Sequence, residues 1–374
     1  MILKVNRAEF LKRMRIVDKA ISDNKIRPII SCVYVETKED KIYFCGTNLE
    51  LTITTFMDCE IQQEGKAVFQ HQLVDEYLRE LSDEFITLNV QGDNLVIETS
   101  DSSSEFTLMN PEEFPKIAGD TEEKIDCKFN LNKGELSEIF EKIKFSASMS
   151  SDNLSINCIR VEIENKKMKF ISTDTYRLAY LEKDIEQDGD LTVSIPLNTV
   201  EALTKLLKTT DGEKIEFFFV NKQLYFKIDS ISIVSRVIDL PFPNYKGILG
   251  VAGYNKIMTI DNLDFIKILK RIQIFVKNNA ESKFGAIFEL GNGKIDIKGV
   301  NDIAKVREVS EVEYVGEDIK ISLNVKFLID FIQNSEKNQK LSMELTNSNS
   351  AVRVKNVEEN NYTYIVMPLA LRDY

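Results

Sequence analysis

Side chains that could catalyse a reaction or bind a metal are few in this sequence and are not clustered. The 374 residues contain a single histidine, His71, which excludes Ser-His-Asp triads, histidine relays and most zinc sites. The five cysteines form no Cys-x-x-Cys pair: Cys32, Cys45, Cys59, Cys127 and Cys158. An odd number of scattered cysteines predicts free thiols in a reducing compartment, and therefore a cytoplasmic protein.

Carboxylates are the remaining candidates for chemistry. Asp and Glu total 60, so a hydrolase with one acidic and one basic carboxyl group is the strongest catalytic hypothesis. No spacing singles out such a pair. A phosphate-binding loop needs Gly-x-x-x-x-Gly-Lys-Ser/Thr followed by a helix, whereas Ile295-Asp-Ile297 continues as a strand after Asn292-Gly-Lys294. We therefore expect a hairpin turn there, and no catalysis, metal or cofactor in this protein.

The composition predicts a folded, acidic protein of several domains. Apolar residues make up 43% and charged residues 29%, which is typical of globular chains. Lys and Arg total 48 against 60 acidic residues, and the net charge of -12 should repel nucleic acid unless positive charge is concentrated locally. Charges at Lys4 and Arg7 argue against a secretory signal, and no run approaches the ~20 apolar residues of a membrane helix.

A threefold internal repeat organises the chain. One marker, Val5-Asn-Arg-Ala-Glu-Phe10, returns from Leu131 and, more weakly, from Ile260. A second marker of fourteen residues occurs at offsets of 126 and 253: 35–48, 161–174 and 288–301. A third is a helix-like stretch after each strand block: 73–81, 199–207 and 327–332. Since the markers keep the same order three times, the chain is predicted to contain three similar domains.

Each copy is predicted to be an α+β domain with a mostly antiparallel sheet. Its order is helix, hairpin, further strand, helix and hairpin. Apolar residues alternate along the final hairpins, as at Ile86, Leu88 and Val90, and turn residues separate the strands, as in Gln91-Gly-Asp-Asn94. Polar or glycine-rich breaks near 119–124 and 250–253 predict domains at 1–124, 125–252 and 253–374.

Basic residues concentrate on the first helix of two copies. A helical wheel places apolar residues on one face and cations opposite them. The apolar stripes are Phe10, Met14, Val17 and Ile21 in the first copy and Phe265, Leu269, Ile272 and Val276 in the third. The corresponding cations are Lys12, Arg15 and Lys19, and Lys267, Lys270 and Arg271. The middle helix buries Leu136, Ile139, Phe140 and Ile143 but is electrically neutral. These cations are either ordinary solvated residues or a basic surface around a common axis.

The whole chain resembles the bacterial DNA polymerase III beta subunit, the replication sliding clamp. The motifs that carry the resemblance are Cys45-Gly-Thr-Asn-Leu-Glu50, Thr173-Asp-Thr-Tyr-Arg-Leu-Ala179, Phe242-Pro-Asn-Tyr245 and Tyr364-Ile-Val-Met-Pro-Leu369. The resemblance implies a clamp fold with sheets outside and helices lining a ring. It implies a head-to-tail homodimer that encircles double-stranded DNA without reading its sequence. Such a protein is not an enzyme but tethers the polymerase and confers processivity.

The resemblance also implies three sets of functional residues. DNA-facing cations match Lys12, Arg15, Lys19, Lys25, Lys267, Lys270 and Arg271. The dimer interface matches Phe106 and Leu108 of one chain, with Ile274 and Phe275 opposite. A pocket for short linear motifs of polymerase subunits, the clamp loader and repair factors matches Ile156, Thr173, Thr175, Tyr176, Arg177, Leu178, Pro243, Ile248, Ile365, Met367, Pro368 and Leu369.

Several positions depart from the family pattern. Thr175-Tyr176 stands where the family often has Gly-His, so the preferred motif can differ. Ala370 replaces a frequent basic residue, and Leu371-Arg-Asp-Tyr374 continues past the usual end. The loop 146–153 has no positive charge. The neutral middle helix gives some support to an alternative, a three-repeat partner scaffold that does not encircle DNA.

Overall fold

The computed structural model describes residues 1–117, 128–187, 189–279, 282–336 and 338–370. These residues belong to two compact units. Unit 1 comprises Met1–Ser137 and Glu201–Val237, and unit 2 comprises Glu138–Val200 and Ile238–Tyr374. The break predicted near 119–124, the residues after Ala370 and Cys127 lie outside the described residues.

Strands outnumber helices throughout the chain. The first part contains β1 (Ile2–Asn6), α1 (Arg7–Val17), β2 (Cys32–Lys38), β3 (Lys41–Thr47), β4 (Leu51–Asp58), β5 (Glu60–Gln63), β6 (Lys66–Gln70), α2 (His71–Glu80), β7 (Phe85–Gln91), β8 (Asn94–Glu98) and β9 (Ser103–Thr107). The middle part contains β10 (Lys128–Asn132), α3 (Lys133–Lys144), β11 (Cys158–Glu164), β12 (Lys167–Thr173), β13 (Arg177–Asp184), β14 (Leu191–Pro196), α4 (Leu197–Thr209), β15 (Lys214–Val220), β16 (Gln223–Ile228) and β17 (Ile231–Arg236). The last part contains α5 (Lys246–Leu249), β18 (Lys256–Asp261), α6 (Asn262–Val276), β19 (Gly285–Gly291), β20 (Lys294–Val300), β21 (Lys305–Glu311), β22 (Glu313–Val315), β23 (Ile319–Asn324), α7 (Val325–Gln333), β24 (Lys340–Leu345), β25 (Val352–Asn356) and β26 (Tyr362–Val366).

Unit 1 contains a five-stranded and an eight-stranded sheet. Their strand orders are β5-β1-β7-β8-β9 and β10-β15-β16-β17-β4-β3-β2-β6. Helix α1 buries Phe10, Met14 and Val17 completely, which confirms its predicted apolar face. The helix begins after Asn6, whose side chain accepts a hydrogen bond from the Glu9 amide at 3.1 Å. It ends at Val17, so the predicted fourth member of the stripe, Ile21, lies beyond it.

Strand β3 passes so close to the end of α1 that only glycine fits at position 46. A Cβ atom there would lie 2.3 Å from the Val17 carbonyl oxygen and 3.0 Å from Cγ1 of Ile21. Val17 is the last residue of α1, and Ile21 lies in the segment that follows the helix. The glycine therefore allows the helix to contact the sheet.

Unit 2 contains a nine-stranded and a four-stranded sheet. Their orders are β14-β11-β12-β13-β26-β25-β24-β18-β22 and β21-β20-β19-β23. The predicted stripe of α6 is confirmed, since Phe265, Leu269, Ile272 and Val276 are all fully buried. In the same unit the Phe331 ring stacks on the rings of Tyr362 and Tyr364, with centroids 5.3 and 5.1 Å away. These rings form an aromatic core beneath the final strand.

The described strands confirm the predicted repeat. The hairpin of β2 and β3 recurs as β11 and β12 at an offset of 126, and as β19 and β20 at an offset of 253. Every pairing within these hairpins is antiparallel. The final hairpins also form as predicted, with β7 paired to β8, β16 to β17 and β24 to β25. A strand that sequence reasoning did not separate from the helix precedes each first helix: β1, β10 and β18.

Replacing Gly46 with Ala tests the close approach of α1 and β3. The added methyl group would overlap a backbone oxygen that cannot move freely, so we expect the free energy of unfolding to fall by about 1–3 kcal/mol. Gly247→Ala is the control, because no atom lies within 4 Å of a Cβ at that position. Urea unfolding followed by circular dichroism measures both variants. Equal midpoints for Gly46→Ala and the unmodified protein would contradict the contact.

Candidate functional site

Pairing of β13 with β26 brings distant parts of the predicted motif pocket together within unit 2. In this antiparallel pair, Leu178 lies opposite Ile365 and Arg177 lies opposite Val366. Leu178 and Ile365 are both buried and share an apolar cluster with Ile171 and Tyr245. The aromatic segment around Tyr245 packs on this cluster through Phe242 and Leu249. Leu178 and Ile365, which are 187 positions apart in sequence, therefore belong to one apolar cluster.

The turn between β12 and β13 carries the exposed rim of this surface. The Asp174 carboxylate accepts hydrogen bonds from the backbone amides of Tyr176 and Arg177, both at 3.0 Å. The turn forces Thr175 to a φ of 77°. Such a conformation is strained for a β-branched residue and natural for glycine. This geometry explains why glycine suits position 175, and it leaves the Tyr176 side chain 63% exposed.

Strand β26 continues into the other rim of the surface. The Met367 amide donates a hydrogen bond to the Tyr176 carbonyl oxygen at 2.8 Å, so these two residues lie side by side. The Met367 side chain is 36% exposed. Two residues further on, the Leu369 amide donates to the Ser322 carbonyl oxygen at 2.8 Å, with Pro368 between them. The adaptable thioether of Met367 and the ring of Tyr176 are thus available to a ligand.

The remaining pocket residues are positioned by other elements. Pro243 is exposed within the segment that leads to Tyr245, and Ile248 is exposed on the short helix α5. The Thr173 hydroxyl donates to the Arg177 carbonyl oxygen at 2.6 Å and so closes the turn. Ile156 is buried, and its carbonyl oxygen accepts from the Ser148 amide in the loop before β11.

Arg177 is the charged centre of this region and is held by several groups. Its guanidinium contacts the carboxylates of Asp174 and Asp330, each at 2.8 Å. It also stacks over the Phe327 ring at 4.4 Å. Burial alone would lower the pKa of Arg177, but neighbouring Tyr364, Asp330 and Asp174 raise it above its ordinary value. With a side chain only 9% exposed, Arg177 organises the turn and offers little surface to a ligand.

Most of the predicted DNA-facing cations have an acidic neighbour. In unit 1, Lys12 lies 3.6 Å from Asp211, Arg15 lies 3.0 Å from Asp75 and Lys19 lies 3.2 Å from Asp18. In unit 2, Lys267 lies 3.1 Å from Asp264, and Arg271 makes two hydrogen bonds to Glu308 at 2.8 and 2.6 Å. The bond to Glu308 raises the pKa of Arg271. The positive charge expected on these faces is therefore partly neutralised locally.

Two predicted cations are better placed to meet an anion. Lys25 lies in the exposed loop before β2, and Lys270 is exposed on α6. In the part of the chain that the structure describes, neither residue has a carboxylate within 4.0 Å. In the middle copy, by contrast, Lys142 binds Glu138 at 2.9 Å and Glu359 at 2.7 Å. The charge of Lys142 on that helix is thus neutralised locally.

The predicted interface residues lie on or just after strand β9 and on helix α6. Phe106 is half-buried on β9, with its ring centroid 5.5 Å from that of Tyr77. Leu108 follows the strand and is half-buried. On α6, Ile274 is 63% exposed and Phe275 is half-buried. Strand β9 and strand β21 are both edge strands of their sheets as described.

Other reactive side chains do not assemble into a site in the described ranges. Burial lowers the pKa of His71, whose Nδ1 atom lies 3.2 Å from Asp18. The cysteines described are free, and burial raises the pKa of Cys32, Cys45 and Cys158. The described His, Cys, Asp and Glu residues include no group of three or more arranged to hold a metal. None of the described helices combines the length and apolar character needed to span a membrane.

Three family models together match most of the chain. They are the N-terminal, central and C-terminal domains of the DNA polymerase III beta subunit, which match residues 1–118, 130–244 and 252–370. The chain belongs to the DNA polymerase III beta subunit family. The beta sliding clamp of Mycoplasma capricolum is 26% identical over 383 residues, which cover 99% of this chain and 100% of that protein.

Solved structures agree with this assignment. The beta subunit from Thermotoga maritima superimposes with a TM-score of 0.92 at 25% identity, covering 99% of this chain and 100% of that chain. The beta chain from Streptococcus pneumoniae has the same fold, with a TM-score of 0.93 at 19% identity over 99% of this chain and 100% of that chain. The predicted three-domain clamp fold with mostly antiparallel sheets is confirmed.

Family membership also decides between the functional hypotheses. The beta sliding clamp is a non-catalytic processivity subunit of DNA polymerase III, as predicted, and the hydrolase and scaffold alternatives are not favoured. The domain boundaries at 1–124, 125–252 and 253–374 stay predictions. The assignments of individual pocket, DNA-facing and interface residues also stay predictions.

Sequence reasoning missed several residues that shape the pocket region. Phe242, Tyr245 and Leu249 pack on its apolar cluster, although the motif Phe242-Pro-Asn-Tyr245 had marked part of this segment. Asp330 and Phe327, which hold Arg177, come from α7 and lie more than 140 residues away in sequence. Only the fold brings them to Arg177.

Replacing Arg177 with Ala tests its structural role. The change leaves Asp174 and Asp330 without their shared buried cation, so we expect the free energy of unfolding to fall by about 3 kcal/mol or more. Lys326→Ala is the matched control, since Lys326 also binds Asp330, at 2.7 Å, but is far more exposed. We expect the control to lose less than about 1 kcal/mol. Similar urea midpoints for the two variants would show that burial of Arg177 is unimportant.

Proposed function

We propose that this clamp subunit acts as a head-to-tail homodimer whose ring encircles double-stranded DNA and tethers DNA polymerase. The observation that carries the proposal is the match of three consecutive beta-subunit domains along one chain. A closed ring holds DNA by topology, so it needs no contact that reads bases. A few phosphate-directed cations suffice, and weak contacts leave the ring free to slide. The described cysteines are free, which agrees with a protein that acts in a reducing compartment. We therefore propose a cytoplasmic location.

The charge distribution supports this way of holding DNA. A net charge of -12 disfavours binding of DNA to most of the surface. Lys25 and Lys270, which lack a nearby carboxylate in the described residues, are the proposed main phosphate contacts. The paired cations Lys12, Arg15, Lys19, Lys267 and Arg271 are proposed to contribute less, because their acidic neighbours compete with phosphate.

Unpaired sheet edges support the head-to-tail dimer. An exposed edge strand presents free backbone groups and invites pairing with another chain. Strands β9 and β21 are such edges in the described sheets, and they belong to the first and third copies of the repeat. The proposed interface joins Phe106 and Leu108 of one chain to Ile274 and Phe275 of the next. This arrangement uses two different surfaces, as a heterologous ring requires.

The apolar surface beside β13 and β26 is the proposed site for linear motifs. An extended peptide with two or three apolar anchors would pack them on the exposed side chains of Met367 and Tyr176, beside the buried pair Leu178 and Ile365. Polymerase subunits, the clamp loader and repair factors are the proposed partners. Affinity in the micromolar range, about -8 kcal/mol, would let these partners exchange.

Replacing Met367 and Leu369 with Ala tests the motif site. Both side chains are proposed to contact the anchors of a peptide, so we expect the double substitution to weaken binding by more than about 1 kcal/mol. Isothermal titration with a motif peptide from a polymerase of the same organism measures the affinity. Val357→Ala, an exposed apolar change in the same unit, is the control and should bind normally. Unchanged affinity of the double variant would refute the site.

Retention on circular and linear DNA tests the ring and its cations together. After loading by a compatible clamp loader with ATP, the protein should stay on a nicked circle and leave the same molecule once it is linearised. We expect Lys25→Glu combined with Lys270→Glu to reduce loading or retention on the circle. Lys294→Glu, which makes one such charge reversal at an exposed site, should behave like the unmodified protein.

Equal retention on both DNA forms would indicate ordinary electrostatic binding instead of a ring. Loss from both forms, when the loader is active on its own clamp, would argue against clamp function. Normal retention of the lysine variant would contradict the proposed phosphate contacts while leaving the ring intact.

A further inference from the structure

Unit 1 contains a cleft of about 570 Å³ beside the junction of β4 with β17. Thr54 and Ser232, which lie opposite each other in this strand pair, line the cleft. Glu36 and Cys45 line it from the neighbouring strands β2 and β3, and Ile117 lines it from the segment after β9. None of these residues belongs to the predicted DNA-facing, interface or motif-binding sets.

The internal repeat relates one wall of this cleft to Tyr245 of unit 2. The segment Phe114-Pro-Lys-Ile117 matches Phe242-Pro-Asn-Tyr245, which places Ile117 at the position of Tyr245. The leading phenylalanines behave alike, since each packs on an apolar cluster of its own unit. The final residues differ, because Tyr245 is 5% exposed and Ile117 is 39% exposed.

The groups that surround Tyr245 have counterparts in the walls of the cleft. The Tyr245 hydroxyl donates to the Glu162 carboxylate at 2.9 Å, and the Tyr245 ring packs with Ile171 and Tyr180. At the repeat offset of 126, the counterparts that line the cleft are Glu36, Cys45 and Thr54. Cysteine and threonine are smaller than isoleucine and tyrosine. The cleft therefore has room for an aromatic side chain at the place where unit 2 holds its own.

Glu36 supplies the cleft with a hydrogen-bond acceptor that is held in place. Its Oε2 atom accepts from the Tyr34 hydroxyl at 3.0 Å, and its Oε1 atom lies 3.7 Å from the Lys66 ammonium group. A carboxylate offers about four lone-pair sites, so Glu36 can accept a further bond from a ligand hydroxyl. Glu162 accepts such a bond from Tyr245 in unit 2.

Aromatic rings and one exposed cation complete the cleft. Tyr43 and Phe56 line it with ring centroids 5.7 Å apart, and Tyr43 is 38% exposed. Lys38 also lines the cleft and is exposed, and in the described residues no carboxylate lies within 4.0 Å of it. The acidic lining residue Asp229 already accepts a bond from the Gly212 amide at 2.7 Å. These groups complement an aromatic hydroxyl side chain that has an acidic neighbour.

We propose that this cleft is a second docking site, which binds a tyrosine of an extended, acidic peptide segment from a partner protein. The tyrosine ring packs beside Ile117, its hydroxyl donates to Glu36, and a carboxylate next to it in the peptide binds Lys38. Tyr245 is the counterpart of this ligand within the chain. The site differs in chemistry from the proposed motif site, where a peptide packs apolar anchors. It also requires no ring closure, because all of its groups belong to unit 1.

Methyl NMR of the full chain tests the site. The protein is labelled at the isoleucine methyl groups and titrated with the acetylated and amidated peptide Gly-Asp-Tyr-Asp-Gly. We expect the signals of Ile117 and Ile231, which line the cleft, to shift, and that of Ile365 to stay in place. A phenylalanine peptide should bind about tenfold more weakly, because the bond to Glu36 is lost. An alanine peptide should give no saturable shift.

Replacing Ile117 with Tyr tests whether the peptide takes the place that Tyr245 occupies in unit 2. The new ring belongs to the chain and competes with the peptide, so we expect affinity to fall by about tenfold or more. Ile26→Tyr is the matched control, since Ile26 is 97% exposed and does not line the cleft. Its affinity should equal that of the unmodified protein.

Charge reversal at Lys38 tests the acidic neighbour of the tyrosine. We expect Lys38→Glu to weaken binding of the acidic peptide by about tenfold at low ionic strength. The peptide Gly-Lys-Tyr-Lys-Gly should bind this variant more tightly than it binds the unmodified protein. Lys294→Glu makes the same reversal in unit 2 and should leave both affinities unchanged.

Several results would overturn the site. Methyl signals that stay in place at millimolar peptide would do so, as would equal binding of the tyrosine and alanine peptides. Shifts at Ile365 without shifts at Ile117 would assign the peptide to the motif site instead. Full affinity of a folded Ile117→Tyr variant would also overturn the proposal. If that variant does not fold, unchanged binding of both charged peptides to Lys38→Glu would decide against the site.

Discussion

Unpaired edges of β-sheets are the constraint on which this structure depends. A free edge exposes backbone donors and acceptors that water alone must satisfy, and it can pair with any extended chain. Inside the chain the problem is solved twice, where β17 pairs with β4 and β26 pairs with β13. Among the described residues, the corresponding strands of the first and third copies, β9 and β21, stand at the edges of their sheets. In the proposed head-to-tail dimer, a second copy of the chain covers these edges.

The same junction also creates the surface proposed to bind partners. Pairing of β13 with β26 aligns apolar side chains on one face, and the segment around Tyr245 packs on them. Arg177 closes the turn above this face through carboxylates and an aromatic ring from different elements. The turn holds Thr175 in a conformation that favours glycine, and strain of this kind is common where a turn has a function. Backbone pairing thus positions these strands, and the side chains along them determine what the surface can bind.

The positions of individual charges matter more for the proposed contact with DNA than the net charge of the protein. The protein is strongly acidic, yet α1 and α6, the helices proposed to face DNA, carry more basic than acidic residues. Most of these cations have acidic neighbours, which keeps any contact with phosphate weak. Weak and exchangeable contacts suit the proposed ring, because topology and not affinity would retain the DNA.

The sequence by itself determined the repeat, the α+β class, the buried faces of the helices and the family. These features are local or periodic: Phe10 and Met14 fall on one helix face because of the helical period, and the hairpins follow from alternation and turn residues. The resemblance also named the residues of the proposed pocket, from Thr173 to Leu369.

Only the tertiary structure decided which distant groups meet. No local pattern pairs Arg177 with Asp330, or gives Arg15 the buried partner Asp75. The same is true of the register that sets Leu178 opposite Ile365, because that register depends on how whole strands align. Burial and charge neutralisation are properties of these long-range contacts. Periodicity in the sequence reveals which face of an element is apolar, but not which residue from elsewhere in the chain will lie against it.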